Sequence, residues 1–216
     1  MRKKRWHLAV FDFNGTLVND GVLAYRCVEH IFRTLCPGLP PPTYEEYRNE
    51  ITSDFTKFYY AHGIPGNVSD DAMNALRTPY YDAHGSEIRL NDGASELLQF
   101  CSHAGMQNAM VSASPEDVVS MLKQFGVLQF FEKIILCGRK KDEALVETLD
   151  HFGVKAEDAF YIDDTFSGLS SARNIGMGAI GFTDGYNSET RIRAAKPDFM
   201  VHSLREAIQI LVDQQG

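Results

Sequence analysis

The stretch "AVFDFNGTLVND", residues 9–20, runs along an apolar segment to Asp12 and then turns at once through Asn14, Gly15 and Thr16. An unbroken run of Ala, Val and Phe suits a strand buried on both faces, as in a parallel sheet. Asn and Gly are residues that accept a tight turn. A carboxylate at the end of such a strand is costly to bury without a partner. Asp12 reads either as a turn-forming residue before Gly15 or as a working one, and Asn14, two positions on, raises the question of what it contributes.

Outward from that strand, short apolar runs alternate with helical patterns. Strands are predicted at "LAVFDF" (8–13), "MQNAMVS" (106–112), "KIILC" (133–137), "AFYID" (159–163), "GAIGF" (178–182) and "DFMV" (198–201). Between them, Leu97, Leu98 and Cys101 form an apolar stripe that Gly105 ends. Ser114 is expected to cap a helix with Pro115 at its first position, Asp117 completing a capping-box-like pattern and Gly126 closing it. Further helices are expected at about 142–152 and 167–175. Alternation of this kind predicts an α/β fold, a doubly wound, Rossmann-like parallel sheet covered by helices on both faces. Residues 19–87 break the rhythm with helical patterns only, separated by "CPGLPPP" and "IPGN". They are expected to form an inserted helical domain, with residues 1–18 and 88–216 making the α/β core.

At 216 residues, 44% apolar and 23% charged, the chain suits one good-sized domain, or a domain carrying a smaller insertion. A net charge of −8 disfavours DNA, RNA and anionic lipid, so neither a nucleic-acid nor a membrane partner is expected. No run reaches the roughly 18 apolar residues of a membrane helix. The basic start "MRKKR" is not followed by the apolar core of a signal peptide. Cys27, Cys36, Cys101 and Cys137 lack CxxC spacing and read as reduced thiols, which points to a cytoplasmic protein.

Ligands of open parallel sheets bind at the carboxyl ends of the strands, near the switch point. Asp12, Ser112, and Asp163 with Asp164 stand at three such ends. Carboxylates gathered in one crevice repel unless a cation keeps them ionised. An oxygen-only donor set favours Mg2+, which commonly bridges carboxylates and a substrate phosphate. Lys140 or Lys141, after the third strand, can neutralise an oxyanion. The set describes a phosphate site.

"DFNGT", "VSAS", "RKK" and "YIDDTFSGLSSARNIGM", in that order, resemble motifs I to IV of the haloacid dehalogenase (HAD) superfamily. The insertion between motifs I and II resembles the C1 cap of its phosphoglycolate phosphatase and β-phosphoglucomutase branch. Gly168, in place of a further acid, resembles the mutase version of motif IV. The resemblance implies a Mg2+-dependent phosphatase acting on a small phosphorylated metabolite through an aspartyl-phosphate. Asp12 would be the nucleophile. Thr16 would steady its loop at the phosphate, Ser112 with Ala113 would hold the transferring group, and Lys141, or Lys140 in the other alignment, would neutralise it. Metal ligands would be Asp12, Asp164, Asp163 directly or through water, and Asn14 through its main-chain carbonyl. A monomer or homodimer is expected.

Most phosphatases of that family carry an aspartate where Asn14 stands, as the general acid and base. An amide holds no titratable proton near neutral pH, so a contribution of roughly 10²- to 10⁴-fold should be missing. Turnover is then slow or restricted to good leaving groups, or His62, Tyr59 or Tyr60 supplies the proton. The alternative is a catalytically weak phosphate-ligand binding or regulatory protein. The acid pair at 163–164 argues against a metal-free dehalogenase. Phosphonoacetaldehyde hydrolysis would need a cap lysine such as Lys57. The cap aromatics Phe55, Phe58, Tyr59, Tyr60, Tyr80 and Tyr81, with His62 and His84, read first as cap core. Arg48 and Lys57 read as solvated charges that can also meet a distal anion, and His7 as structural.

Overall fold

The computed structural model describes residues 6–52, 54–113, 117–138 and 140–215. Strand β1 (Leu8–Phe11) leads through the Asn14–Gly15 turn to the two-residue strand β2 (Val18–Asn19). Helices α1 (Gly21–Leu35), α2 (Tyr44–Glu50), α3 (Phe55–Ala61) and α4 (Asp70–His84) follow, and the chain returns through β3 (Arg89–Leu90). Thereafter strand and helix alternate: α5 (Ala94–His103), β4 (Gln107–Ser112), α6 (Val118–Gln124), β5 (Lys133–Leu136), α7 (Lys141–Phe152), β6 (Ala159–Asp163) and α8 (Phe166–Asn174). The chain ends with β7 (Gly178–Phe182), α9 (Glu189–Ala194), β8 (Phe199–Val201) and α10 (Leu204–Gln215).

Six strands form a parallel sheet in the order β5-β4-β1-β6-β7-β8. The chain moves from β1 to one edge and then comes back to the other side of β1. That reversal opens the crevice at the carboxyl ends of β1 and β6, where a doubly wound sheet binds its ligand. Both faces are covered. Ala9 and Phe11 of β1 face α5, α6 and α10, whereas Leu8 and Val10 face α7, α8 and α9. This explains why the strand reads as a continuous apolar run rather than an alternating one.

Of the expected strands, β6 and β7 have the predicted limits, and the others are shorter by one or two residues. Helix α6 starts at Val118 with Asp117 as its cap, the Asp117 carboxylate accepting the Ser120 N–H at 3.1 Å. The expected cap at Ser114 and first position at Pro115 lie outside the described residues. The helical insertion is present as α1–α4. Its entry and exit are neighbours, because β2 and β3 pair antiparallel, Val18 with Leu90 and Asn19 with Arg89. Leu23, Cys27, Val28, Ile31 and Phe32 of α1 are buried among α3 and α4, and they are continuous with the apolar layer on one face of the sheet. All four cysteines are free thiols. Among the described residues no helix is long and apolar enough to cross a membrane.

Candidate active site

The turn after β1 brings its residues to one point through two constraints. Asp12 N donates to Ile162 O of β6 at 3.0 Å, which seats the Asp12 carboxyl beside the β6 end. Gly15 adopts φ +76°, and a Cβ there would stand 2.1 Å from Asp164 Oδ2. Only glycine allows both the turn and the approach. Thr16 then donates its hydroxyl to Asp164 Oδ1 at 2.7 Å, and Asn91 Nδ2 ties down the Thr16 carbonyl at 2.7 Å.

Asp12, Asp163 and Asp164 are all buried, and one oxygen of each lies within 4.8 Å of the others. Lys141, at the start of α7 and 5% exposed, reaches two of them at once. Its Nζ is 2.8 Å from Asp12 Oδ1 and 2.5 Å from Asp163 Oδ2. Lys140, the other lysine of the pair, is not at the site: its Nζ pairs with Glu143 at 3.1 Å and its side chain is 71% exposed. Asp163 has its other oxygen bound by the Thr165 N–H (2.6 Å) and hydroxyl (2.7 Å), and Asp164 Oδ2 accepts the Tyr186 N–H at 2.6 Å. A Cβ at Gly168 would fall 1.8 Å from Asp163 Oδ2, so the glycine of that segment clears room for the carboxylate. Ser112 is buried at the end of β4 and lines the cavity with Ala113. Arg139, within "RKK", lies outside the described residues.

One ammonium does not balance three carboxylates. Burial pushes the Asp12 carboxyl up to about 7 against the pull of Lys141, and the Asp163 charge adds to the rise. Burial, then the charges of Asp163 and Asp12, hold Asp164 well above the usual carboxylate range. Burial alone would lower Lys141, but Asp12 and Asp163 more than reverse this and raise it. The three carboxylates are a potential site for one more cation. Its donors are all oxygen, which fits a hard divalent ion better than zinc. In the metal-free protein, Asp12 holds a proton that the unfolded chain has released above about 3.8, so its contribution to stability is lost as pH rises from there through about 7. A bound divalent ion reverses that loss by replacing the protons. Mg2+ is therefore expected to raise the melting temperature more at pH 8 than at pH 5.5, which differential scanning fluorimetry checks; an equal rise at both would contradict the charge balance.

Above the cluster is a cavity with about 770 Å³ of empty space, part of it open to solvent. Its floor includes Asp12, Asn14, Ser112 and Lys141, and its roof Tyr59, Arg77 and Tyr81 of the helical insertion. The aromatics expected as cap core therefore divide. Phe58 packs inside, whereas Phe55, Tyr59 and Tyr81 reach the cavity. Arg77, not singled out in the sequence, lies over the Tyr81 and Phe55 rings at 4.7 and 5.6 Å. Tyr80 stacks on His30, and His84 pairs with Glu87, both outside the cavity lining.

The three suggested replacement acids fare badly. His62 Nδ1 is 2.9 Å from Phe58 O and its ring packs on Phe58, away from the described lining. The Tyr60 hydroxyl donates to Val68 O. Tyr59 does line the cavity, but burial raises its phenol, which makes it a poorer acid. Arg48 is half-buried and not among the described cavity lining: it donates to Thr183 O and Asn187 O at 2.9 and 3.0 Å and fastens α2 to the loop after β7. Lys57, the cap lysine that phosphonoacetaldehyde chemistry would need, is 81% exposed, pairs with Asp54 and is not among the described lining residues. His7 is exposed and joins the sheet through its backbone, as expected. Reading the sequence missed Asp20, which accepts from Asn14 Nδ2 and the Gly15 N–H, Tyr161, whose buried hydroxyl lies 3.4 Å from Asp12 Oδ1, Thr165 and Tyr186. Of these only Asp20 carried a signal, being an acid at the end of the opening stretch.

The sequence pattern of the family described as haloacid dehalogenase-like hydrolase matches residues 9–182. The chain belongs to that family. As a HAD-like hydrolase it shares 27% identity with the phosphoglycolate phosphatase of Pseudomonas putida over 92% of this chain and 77% of that one. It is 23% identical to pyrophosphatase PpaX of Bacillus velezensis, over 97% and 98% of the two chains. A crystal structure of a predicted phosphatase from Clostridium acetobutylicum superposes with a TM-score of 0.81 at 18% identity, covering 97% of this chain and all of that one. CbbY from Rhodobacter sphaeroides, solved with phosphate, gives 0.73 at 21% identity over 93% and 96%. The fold, helical insertion included, is thus shared with these two solved structures over nearly their whole length.

Proposed function

We propose that this HAD-like hydrolase is a Mg2+-dependent phosphatase of the phosphoglycolate phosphatase-like branch, acting on a small phosphorylated metabolite enclosed between core and cap. In this reading the core is residues 1–18 and 88–216 and the C1 cap residues 19–87. The observation that carries the proposal is Lys141 Nζ joined at once to Asp12 and Asp163, beside Asp164, on the floor of the cavity.

Asp12 is the nucleophile, and Lys141 both orients its carboxylate and neutralises the transferring phosphoryl group. Ser112 and the backbone at Ala113 hold the phosphoryl oxygens, while Thr16 fixes the turn by its bond to Asp164. Asp12, Asp164 and the Asn14 main-chain carbonyl would hold Mg2+, with Asp163 in support directly or through water, its Oδ2 being engaged by the Lys141 ammonium. Bound there, the ion supplies charge neutralisation and polarises the phosphoryl group. Arg77 in the roof suits a substrate with a second anionic group. Catalysis is then chiefly alignment and electrostatic stabilisation of an in-line transfer.

Phosphate release from a panel of phosphorylated metabolites, acetyl phosphate and para-nitrophenyl phosphate tests the reading. Turnover that requires Mg2+ and stops with EDTA is expected. Asn14 is the observation that favours the alternative, a phosphate-ligand binding protein with decayed catalysis. That alternative predicts binding without Mg2+-dependent release from any member of the panel.

A further inference from the structure

Asp20 is 1% exposed and occupies the capping position of α1, yet its side chain makes no capping bond to that helix. A carboxylate there would ordinarily bind the first free N–H groups. Instead Asp20 Oδ2 accepts from Asn14 Nδ2 and from the Tyr186 hydroxyl, both at 2.8 Å, and Oδ1 accepts from the Gly15 N–H at 2.9 Å. A carboxylate opposite an amide decides which end of the amide faces it, because the reverse orientation would set two acceptors against each other. Asparagine is thus the residue that fits position 14. An aspartate there would set a part-buried carboxylate against the buried one of Asp20.

The same position decides the chemistry. Asn14 lines the cavity, and among the described lining residues Asp12 is the one carboxyl group and there is no histidine. That leaves the described lining without a second carboxylic acid or an imidazole to give a proton to a departing alkoxide, and its one ammonium, Lys141, is held by Asp12 and Asp163.

We infer that Asn14 and Asp20 are a matched pair that makes residue 14 a hydrogen-bonding group rather than an acid, and that the substrates are phosphoryl donors whose leaving group departs as a stable anion, acyl phosphates or phosphoanhydrides. The inference rests on Asp12 being the nucleophile. In the first step the Asp12 oxygen–phosphorus bond forms as the bond from phosphorus to the leaving oxygen breaks. The leaving group keeps the electron pair and goes out unprotonated, as carboxylate or phosphate. In the second step a water oxygen bonds to phosphorus, the bond to Asp12 breaks with its pair returning to the carboxylate, and the water proton passes to a phosphoryl oxygen of the released phosphate. Asp20 touches neither substrate nor reacting atoms and is a positioning residue acting through Asn14.

The test measures Mg2+-supported turnover of acetyl phosphate, pyrophosphate and phosphoglycolate by the wild type, Asn14→Asp, Asp20→Asn and the double variant, with Asp12→Ala as blank. Wild-type kcat/KM on acetyl phosphate or pyrophosphate should exceed that on phosphoglycolate by about 10²-fold or more, the size of a general-acid contribution. Which of the two is preferred tells acyl phosphate from anhydride. The double variant should raise phosphoglycolate turnover far more than turnover of the preferred donor. Asn14→Asp alone should gain less and lose thermal stability that Asp20→Asn restores, a non-additivity that a purely structural Asp20 would not produce. Asp12-dependent turnover of phosphoglycolate as fast as of acetyl phosphate and pyrophosphate, or additive effects at positions 14 and 20, would overturn the inference while sparing the nucleophile. No Asp12-dependent turnover of any donor would remove the nucleophile and the inference together.

Discussion

Asp12→Asn should reduce phosphate release by about 10⁴-fold or more, the scale at which removing a covalent nucleophile acts, and should at the same time raise the melting temperature of the metal-free protein at pH 8. The two effects share one cause. Asp12 is one of three buried carboxylates facing a single ammonium, and Asp163 and burial both oppose its ionisation. An amide keeps the shape and removes one unbalanced charge, so the fold gains what the chemistry loses. With Mg2+ present the order should narrow or reverse, because a bound cation then balances the wild type's carboxylates. Thermal melts with and without Mg2+, beside a phosphate-release assay, read all three outcomes. A variant that loses activity and also melts lower without metal would mean that Asp12 supports the fold rather than burdening it.

Lys141→Met carries the second large effect, in the opposite direction for stability. The side chain is 5% exposed, and its loss leaves Asp12 and Asp163 without the partner that each contacts within 2.8 Å. Removing one member of a buried ion pair costs about 3–5 kcal/mol. Turnover should fall about 10²- to 10³-fold, as for the loss of one group stabilising developing charge. Lys140→Met is the control, since that ammonium is exposed and pairs with Glu143 at the surface; exposed pairs of this kind are worth about 0–1 kcal/mol. Chemical denaturation of the two variants separates them. Similar losses in both would contradict the assignment of Lys141.

The fold was legible wherever burial on two faces left a continuous apolar run, as at β6 and β7, whose limits match the reading residue for residue. The ribbon of β2 and β3 was not, because strands of two residues are too short to carry a period. At the site, Asp12, Ser112, Asp163 and Asp164 could be read because strand ends converge in a doubly wound sheet. The choice between Lys140 and Lys141 could not, since adjacent residues differ only in the direction the helix gives them. Tyr186 reaches Asp20 across 166 positions of sequence, and a single chain holds no record of such a pairing. Asp20 itself stood in plain view at residue 20, but its use as a clamp on Asn14, rather than a cap on α1, depends on the side-chain geometry.

Acid quenching of the Mg2+-loaded protein during turnover of acetyl phosphate, followed by mass spectrometry of its peptides, tests the central claim directly. The account predicts one added phosphoryl group, on the peptide carrying Asp12 and lost with Asp12→Asn. Turnover that proceeds with no phosphorylated peptide, or with the group on another residue, would contradict it.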